Sequence, residues 1–297
     1  MQDRIAEADA ARDSTLLRAA TWMIGAILSF SAMAIAGREA SLSLDTFEIM
    51  MYRSLVGVVV VAAMITALRR WPQVSTKRLK HHGLRNMAHF TGQNLWFYAV
   101  SAIPLAQVFA LEFTSPIWVI LLAPLLLGER LTRMRMLAVS LGFVGILIVA
   151  RPSPATFNIG LACAAGSAVF FALTNIATKR LTRTESIWSI MFWLTLMQLV
   201  LGILFAGYDL DVALPDAQSL PFLLIIGCAG LSAHFCITNA LSLAPAAVVV
   251  PVDFARLPFI ALLGWLIYGE SVEIWLFVGA ALIFTGNFIN IVSSRQQ

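Results

Sequence analysis

Apolar runs of about twenty residues, each long enough to cross the hydrocarbon of a bilayer as a helix, recur along almost the whole chain. Ten can be drawn: 16–36, 47–68, 84–103, 105–127 and 134–150, then 159–178, 187–208, 220–241, 246–268 and 272–292. The third and eighth are the most polar. Arg151-Pro152-Ser153-Pro154 separates the fifth run from the sixth. The fourth run carries Glu112 and Pro116, and the ninth carries Pro251, Asp253, Arg256 and Pro258. A charged side chain at the bilayer centre costs roughly 3 kcal/mol on insertion scales, so an acid within a span is by default a functional-site hypothesis.

The pattern repeats. A shift of 141 residues lays Pro104 on Pro245, Glu112 on Asp253, Phe113 on Phe254 and Gly128-Glu129 on Gly269-Glu270. The same shift lays Phe30 on Phe171, Arg38 on Lys179, Ser101 on Ser242 and Gly145 on Gly286. One register across all five pairs of runs points to an internal duplication. Each copy has an odd number of spans, so the copies insert upside down relative to each other. The expected fold is an all-α integral membrane protein, with ten transmembrane helices as two inverted five-helix repeats. Residues 1–15 form an N-terminal arm, 16–152 and 153–292 the two repeats, and 293–297 a tail. In such proteins the substrate site lies near the midplane between the repeats.

Composition agrees: 60% of residues are hydrophobic and 12% charged, against about 45–50% apolar for soluble chains. The net charge of +4 does not indicate nucleic acid, because the cations divide by side. With a cytoplasmic N-terminus, the intervals 4–18, 69–85, 130–135 and 179–183 and Arg295 hold sixteen of the twenty Lys and Arg residues on the cytoplasmic side. The positive-inside rule then places both termini in the cytoplasm and the chain in an inner membrane. The loop with Asp209, Asp211 and Asp216 is external. Cys163, Cys228 and Cys236 sit in apolar runs with no metal-ligand spacing, and no cofactor is expected. Walker, HExxH and GxSxG motifs are absent, which argues against ATP drive and against an intramembrane enzyme.

The stretch ALEFTSPIWVILLAPLLLGERLTRMRMLAVSLGFVGILIV and its twin from Pro251 to Asn290 resemble the drug/metabolite transporter superfamily, specifically its EamA-type ten-helix members. In that family the fourth and ninth helices end in a Gly-Glu pair, followed by a short turn and a glycine-bearing helix. The likeness runs from Leu16 to Val292. It implies secondary transport, and helices 1, 3, 4, 6, 8 and 9 around a central cavity. FEIMMYR and RNMAHFTGQNLWFYAVSAIPLAQ are similar to carriers of S-adenosylmethionine or riboflavin. These and amino-acid-like metabolites are the candidate substrates, with membrane lipids as partners and a homodimer compatible.

Depth along the helices selects the candidate residues. Arg53 and Glu112 each lie about seven residues from the same side, roughly 10 Å deep, so an Arg53–Glu112 ion pair, or a gate built on Arg53, is geometrically allowed. Asp253 lies at a similar depth from the other side, and Arg256, three residues on, shares its helix face. His89, Gln93 and Trp96 form one stripe of the third helix, with Tyr98 nearby, offering hydrogen bonds and a stacking ring to a solute. His234 and Asn239 are the equivalents in the eighth helix, and Asn175 lies in the sixth. Pro116, Pro251 and Pro258 each remove a helical hydrogen bond and are candidate hinges. Glu129 and Glu270 read as turn chemistry at helix ends. Two weaker alternatives are a lipid-handling or regulatory membrane protein, which would tolerate loss of Glu112 and Asp253, and an intramembrane enzyme.

Overall fold

The Asp45 carboxylate accepts the Glu48 backbone N–H at 2.8 Å, and the Glu48 carboxylate accepts the Asp45 N–H at 2.8 Å. This reciprocal cap satisfies two donors that a first helical turn leaves open. It starts the second helix of a computed structural model that describes residues 2–127, 132–150, 158–208, 210–243, 252–253 and 255–293. The elements are α1 (Gln2–Ala40), α2 (Thr46–Ala67), a 3-10 turn (Trp71–Gln73), α3 (Leu79–Ala102), α4 (Leu105–Glu112) and α5 (Ser115–Leu127). Then come α6 (Arg133–Ala150), α7 (Ile159–Leu181), α8 (Ile187–Ala206), α9 (Ser219–Leu243), α10 (Arg256–Tyr268) and α11 (Ile274–Ser293). Every one of these elements is helical.

The apolar runs foresee most of these helices to within a few residues. Two differences matter. The segment 2–15, expected as an arm, is helical and continuous with the first span. The fourth expected helix is two, broken at Phe113-Thr114. Among the described residues, six helical stretches are long and apolar enough to cross a membrane, including Leu105–Leu122 taken across that break. Helix α3 is not one of them, because it carries Arg85, Asn86, His89, Gln93 and Asn94, all of them buried. Leu55, Val59, Leu125, Leu147, Leu204 and Leu266 are exposed on the outer surface, the side chains a bundle presents to hydrocarbon.

Hydrogen bonds at the helix ends define two mouths. At the first, the end of α1 meets the end of α3 and the start of α4, and Glu48 at the start of α2 accepts the Ala213 N–H at 2.6 Å. In the same region Asp216 caps α9. Its carboxylate takes the Ser219 N–H at 2.7 Å, which holds that exposed acid below the usual carboxylate range. At the second mouth, the Trp193 indole donates to Ser75 O at 2.7 Å and Arg85 Nε to Thr178 Oγ1 at 2.7 Å. These bonds tie the turn after α2 and the start of α3 to the end of α7 and the start of α8.

The most extensive helix contacts join α1 with α9, α3 with α7, α2 with α8 and α6 with α11. Replacing each helix by its partner 141 residues away returns the same set. The α6/α11 crossing repeats this at atomic scale. A Cβ at Gly145 would stand 2.6 Å from Gly279 O, and one at Gly286 would stand 2.6 Å from Ala138 O; the 141 shift converts one contact into the other. Only glycine lets the backbones approach this closely. Gly145→Leu is expected to destabilise the protein by about 1–3 kcal/mol through overpacking, read as a lower Tm in detergent.

Candidate functional site

Arg256 opens α10, is 3% exposed and gathers two carboxylates. Its Nη2 lies 3.0 Å from Asp253 Oδ2 and 3.3 Å from Glu112 Oε1, the last residue of α4. The guanidinium carbon stands 4.5, 4.9 and 5.0 Å from the ring centroids of Phe30, Phe113 and Phe109, within cation–π range. The Trp96 indole donates to the other Glu112 oxygen at 2.8 Å. Side chains from α1, α3, α4 and α10, and so from both repeats, thus close around one cation. The acid side chains keep 19% and 18% exposure while the arginine keeps 4%. With all three ionised the cluster carries one net negative charge, and its two acid side chains are more accessible than its arginine.

Local backbone chemistry makes this meeting possible. Pro116 has no N–H to offer the Glu112 carbonyl, so the helix cannot run through that point. Phe113 N still bonds Phe109 O at 3.0 Å, Thr114 N tightens onto Leu111 O at 3.0 Å, and α5 restarts at Ser115. The Phe113 carbonyl takes a 2.9 Å bond from Asn287 of α11. The matching turn before α10 has Ala255 N bonded to Val252 O at 3.1 Å. Pro116 and Pro258 therefore lie in the first turns of restarted helices, where proline is tolerated, instead of interrupting longer ones. Pro251 lies outside the described residues. Under the 141 shift the two breaks coincide although the prolines do not.

The other candidates disperse over α2, α3, α7 and α9. Arg53 does not join Glu112: its Nη1 donates to Gln93 Oε1 at 2.5 Å, because Arg256 from the second repeat takes the acid. Trp96 is buried edge-on against Phe97 and Phe109 and has its N–H on Glu112, so its surface is occupied by protein. His89 is buried beside Phe171, with no hydrogen-bond partner for Nδ1. Tyr98 is 42% exposed, turned away from the Gln93–Trp96 face, and it leaves the site. Asn175 is exposed on α7. His234 and Asn239 line a mostly apolar cavity of about 490 Å³ between α2, α8 and α9. His234 and Leu231 also border a chamber of about 30 Å³ walled by Arg53, His89, Gln198 and Gly230. Among the described residues no group of three or more His, Cys, Asp or Glu could hold a metal ion.

Three residues were not singled out from sequence. Arg85, counted as a loop cation, is buried on α3, one turn before His89. Its spacing to His89 and Gln93 is the signal that marks it. Asn287 is one of three polar residues, with Thr285 and Asn290, near the end of an apolar run, and Arg38 was counted only as an external cation. Arg38 donates to Val100 O, to Ile103 O and to the Glu270 carboxylate, and that carboxylate also accepts the Leu105 N–H at 3.0 Å. Glu270 follows Gly269, which ends α10 in the left-handed conformation at φ 65°. The turn thus aims its acid across the first mouth, clasping α1, α3, α4 and α10 together. Its repeat equivalent Glu129 lies outside the described residues.

Trp96→Phe keeps the ring and leaves one Glu112 oxygen without its donor. It is expected to lower stability by about 1–3 kcal/mol, seen as a fall in detergent Tm.

Residues 17–151 and 158–292 each match the sequence profile of the EamA-like transporter family. The chain is 29% identical over 276 residues to a riboflavin transporter of Vibrio cholerae serotype O1, covering 90% of each. It is 25% identical over 276 residues to an S-adenosylmethionine uptake transporter of Rickettsia bellii, covering 93% of this chain and 94% of that one. A solved crystal structure superposes with a TM-score of 0.64 at 19% identity, over 94% of this chain and 98% of the other.

Proposed function

Because the chain belongs to the EamA-like transporter family, we propose that this membrane transporter of a small metabolite moves a polar or zwitterionic solute by alternating access of two inverted halves. The two family matches start and end 141 residues apart, and the helix contacts are unchanged by that shift, which supports ten spans in two copies. The side that collects the cations faces the cytoplasm of an inner membrane, with both termini there.

The observation that carries the reading is the Glu112–Arg256–Asp253 cluster, set at two helix breaks and shared by both halves. Broken helices that present charges at a repeat interface are what solute and coupling-ion sites of such transporters are made of. The Arg38–Glu270 clasp draws the ends of α1, α3, α4 and α10 together at the first mouth, which supports a state closed on that side.

Riboflavin, S-adenosylmethionine and amino-acid-like metabolites are the candidate solutes, the first two from the names of the relatives. Uptake into proteoliposomes, comparing wild type with Glu112→Gln and Asp253→Asn, tests the site. Each variant is expected to lose at least ten-fold in rate. Wild-type rates in both would overturn the assignment.

A further inference from the structure

Arg53 is the unexplained cation of the core. Its Nη1 is taken by Gln93 Oε1 and contacts Met50 sulfur at 3.7 Å, and its guanidinium lies 5.8 Å from the Phe97 ring. Its Nε and Nη2 donate to no acceptor among the described residues. Nη2 lies against α9 at Gly230, where a Cβ would stand 3.3 Å away. Among the described residues no carboxylate pairs with Arg53, and none pairs with Arg85, two turns before Gln93 on α3. An unpaired guanidinium inside a membrane protein is costly and needs a counter-charge.

The space beside Arg53 is the chamber of about 30 Å³, room for about two waters or one carboxylate. His89 walls it, is 5% exposed and has an orphaned Nδ1. His234 walls it too and connects it to the larger cavity. Gln198 Oε1 in the same wall lacks a donor, an acceptor that an N–H of a ligand or a water would fill. Arg53 thus brings a positive charge to this chamber, while one turn further along α3 Trp96 holds the cluster of two carboxylates and one guanidinium. Gln93 and Trp96 are three residues apart, about 4.5 Å of helix rise, so the two charge signs lie within the span of one small molecule.

We propose that Arg53, with His89 and His234, seats a substrate carboxylate, while Glu112 and Asp253 receive the cationic group of the same molecule. The favoured solute then carries an amino-acid end, and a neutral ring system lacking one binds poorly. This rests on the transport reading above and adds to it an anion seat and a polarity of binding. It also gives Arg53 a binding role in place of a tie between helices.

The test measures binding to purified full-length protein in chloride-free buffer. The probes are S-adenosylmethionine, the common amino acids, 5′-methylthioadenosine (the same nucleoside without the amino-acid end) and riboflavin, with chloride and phosphate as inorganic controls. At least one amino-acid-bearing probe is expected to bind, and methylthioadenosine to bind at least ten-fold more weakly than S-adenosylmethionine. Arg53→Gln is expected to weaken the amino-acid-bearing probe about 10- to 100-fold, the size of one lost charge-assisted contact. Arg53→Lys, which keeps the charge without the fork, falls between. The ligand-free Tm of each variant separates lost binding from lost folding; a Tm that collapses moves the comparison to His89→Gln, for which a ten-fold loss is expected. Unchanged affinity in these variants, a full stabilisation by chloride or phosphate alone, or no amino-acid-bearing probe bound each overturns the proposal. Riboflavin uptake that persists in Arg53→Gln proteoliposomes would keep the transport reading while removing this one.

Discussion

Replacement of Arg256 by Met is expected to abolish solute transport and to cost about 3–5 kcal/mol of stability, the penalty for breaking a buried pair from one side. The cost comes from what remains. Glu112 and Asp253 both lie within 3.3 Å of one guanidinium nitrogen, and without it two carboxylates face each other in a protein interior. Phe30, Phe109 and Phe113 would then surround a thioether where they now surround a cation. Neutralising the acids as well, in Arg256→Met/Glu112→Gln/Asp253→Asn, removes the repulsion. The triple variant is expected to regain most of the lost Tm and none of the transport. Detergent Tm and proteoliposome uptake measured on the same preparations check both halves of the statement. Wild-type uptake in the single variant would exclude the cluster from the transport cycle.

Arg38→Gln is expected to open the first mouth. In the native protein this side chain bonds two carbonyls at the end of α3 and the carboxylate that caps α4. Losing a charge-assisted contact of about 1.5–3 kcal/mol shifts an open–closed equilibrium ten-fold or more. Gln107 borders a cavity of about 280 Å³ at that mouth, together with Ile103 and Pro104. A cysteine placed there in a cysteine-free background is expected to react at least ten-fold faster with a membrane-impermeant maleimide when Arg38 is Gln, with uptake reduced in parallel. Gly264→Ala offers an independent route, because its new methyl would collide with the Glu270 carboxylate and displace it without removing a charge. Unchanged labelling in both variants would mean that the clasp does not hold the mouth shut.

The helices and their duplication were legible because hydrocarbon imposes a length on every span and a common ancestry leaves a register. Depth was legible too: counting residues from helix ends placed Glu112, Asp253 and Arg256 in the interior. What counting cannot give is rotation about each helix axis and the choice of partner between repeats. Arg53 was therefore matched by depth with Glu112, while the fold turns it to Gln93 and brings Arg256 across instead. Tyr98 was grouped with the α3 stripe by proximity in sequence, yet it projects from another face. Arg85 was misread for a different reason: less than two turns from a loop, a cation looks interfacial until the neighbouring helices are known to cover it. The fourth helix read as continuous because its apolar run is unbroken; only the missing N–H of Pro116 marked the break.

Glu112 stands at the carboxyl end of its helix and Arg256 at the amino end of its own. Each is thus paired with the helix pole that repels it, an opposition worth about 0.3–1 kcal/mol apiece. Apart, both are frustrated; together, each screens the other from its own backbone. Parting the halves in the proposed cycle would restore both frustrations at once, so under that proposal the cluster would act as an electrostatic detent, released by a solute that supplies its own charges at this point.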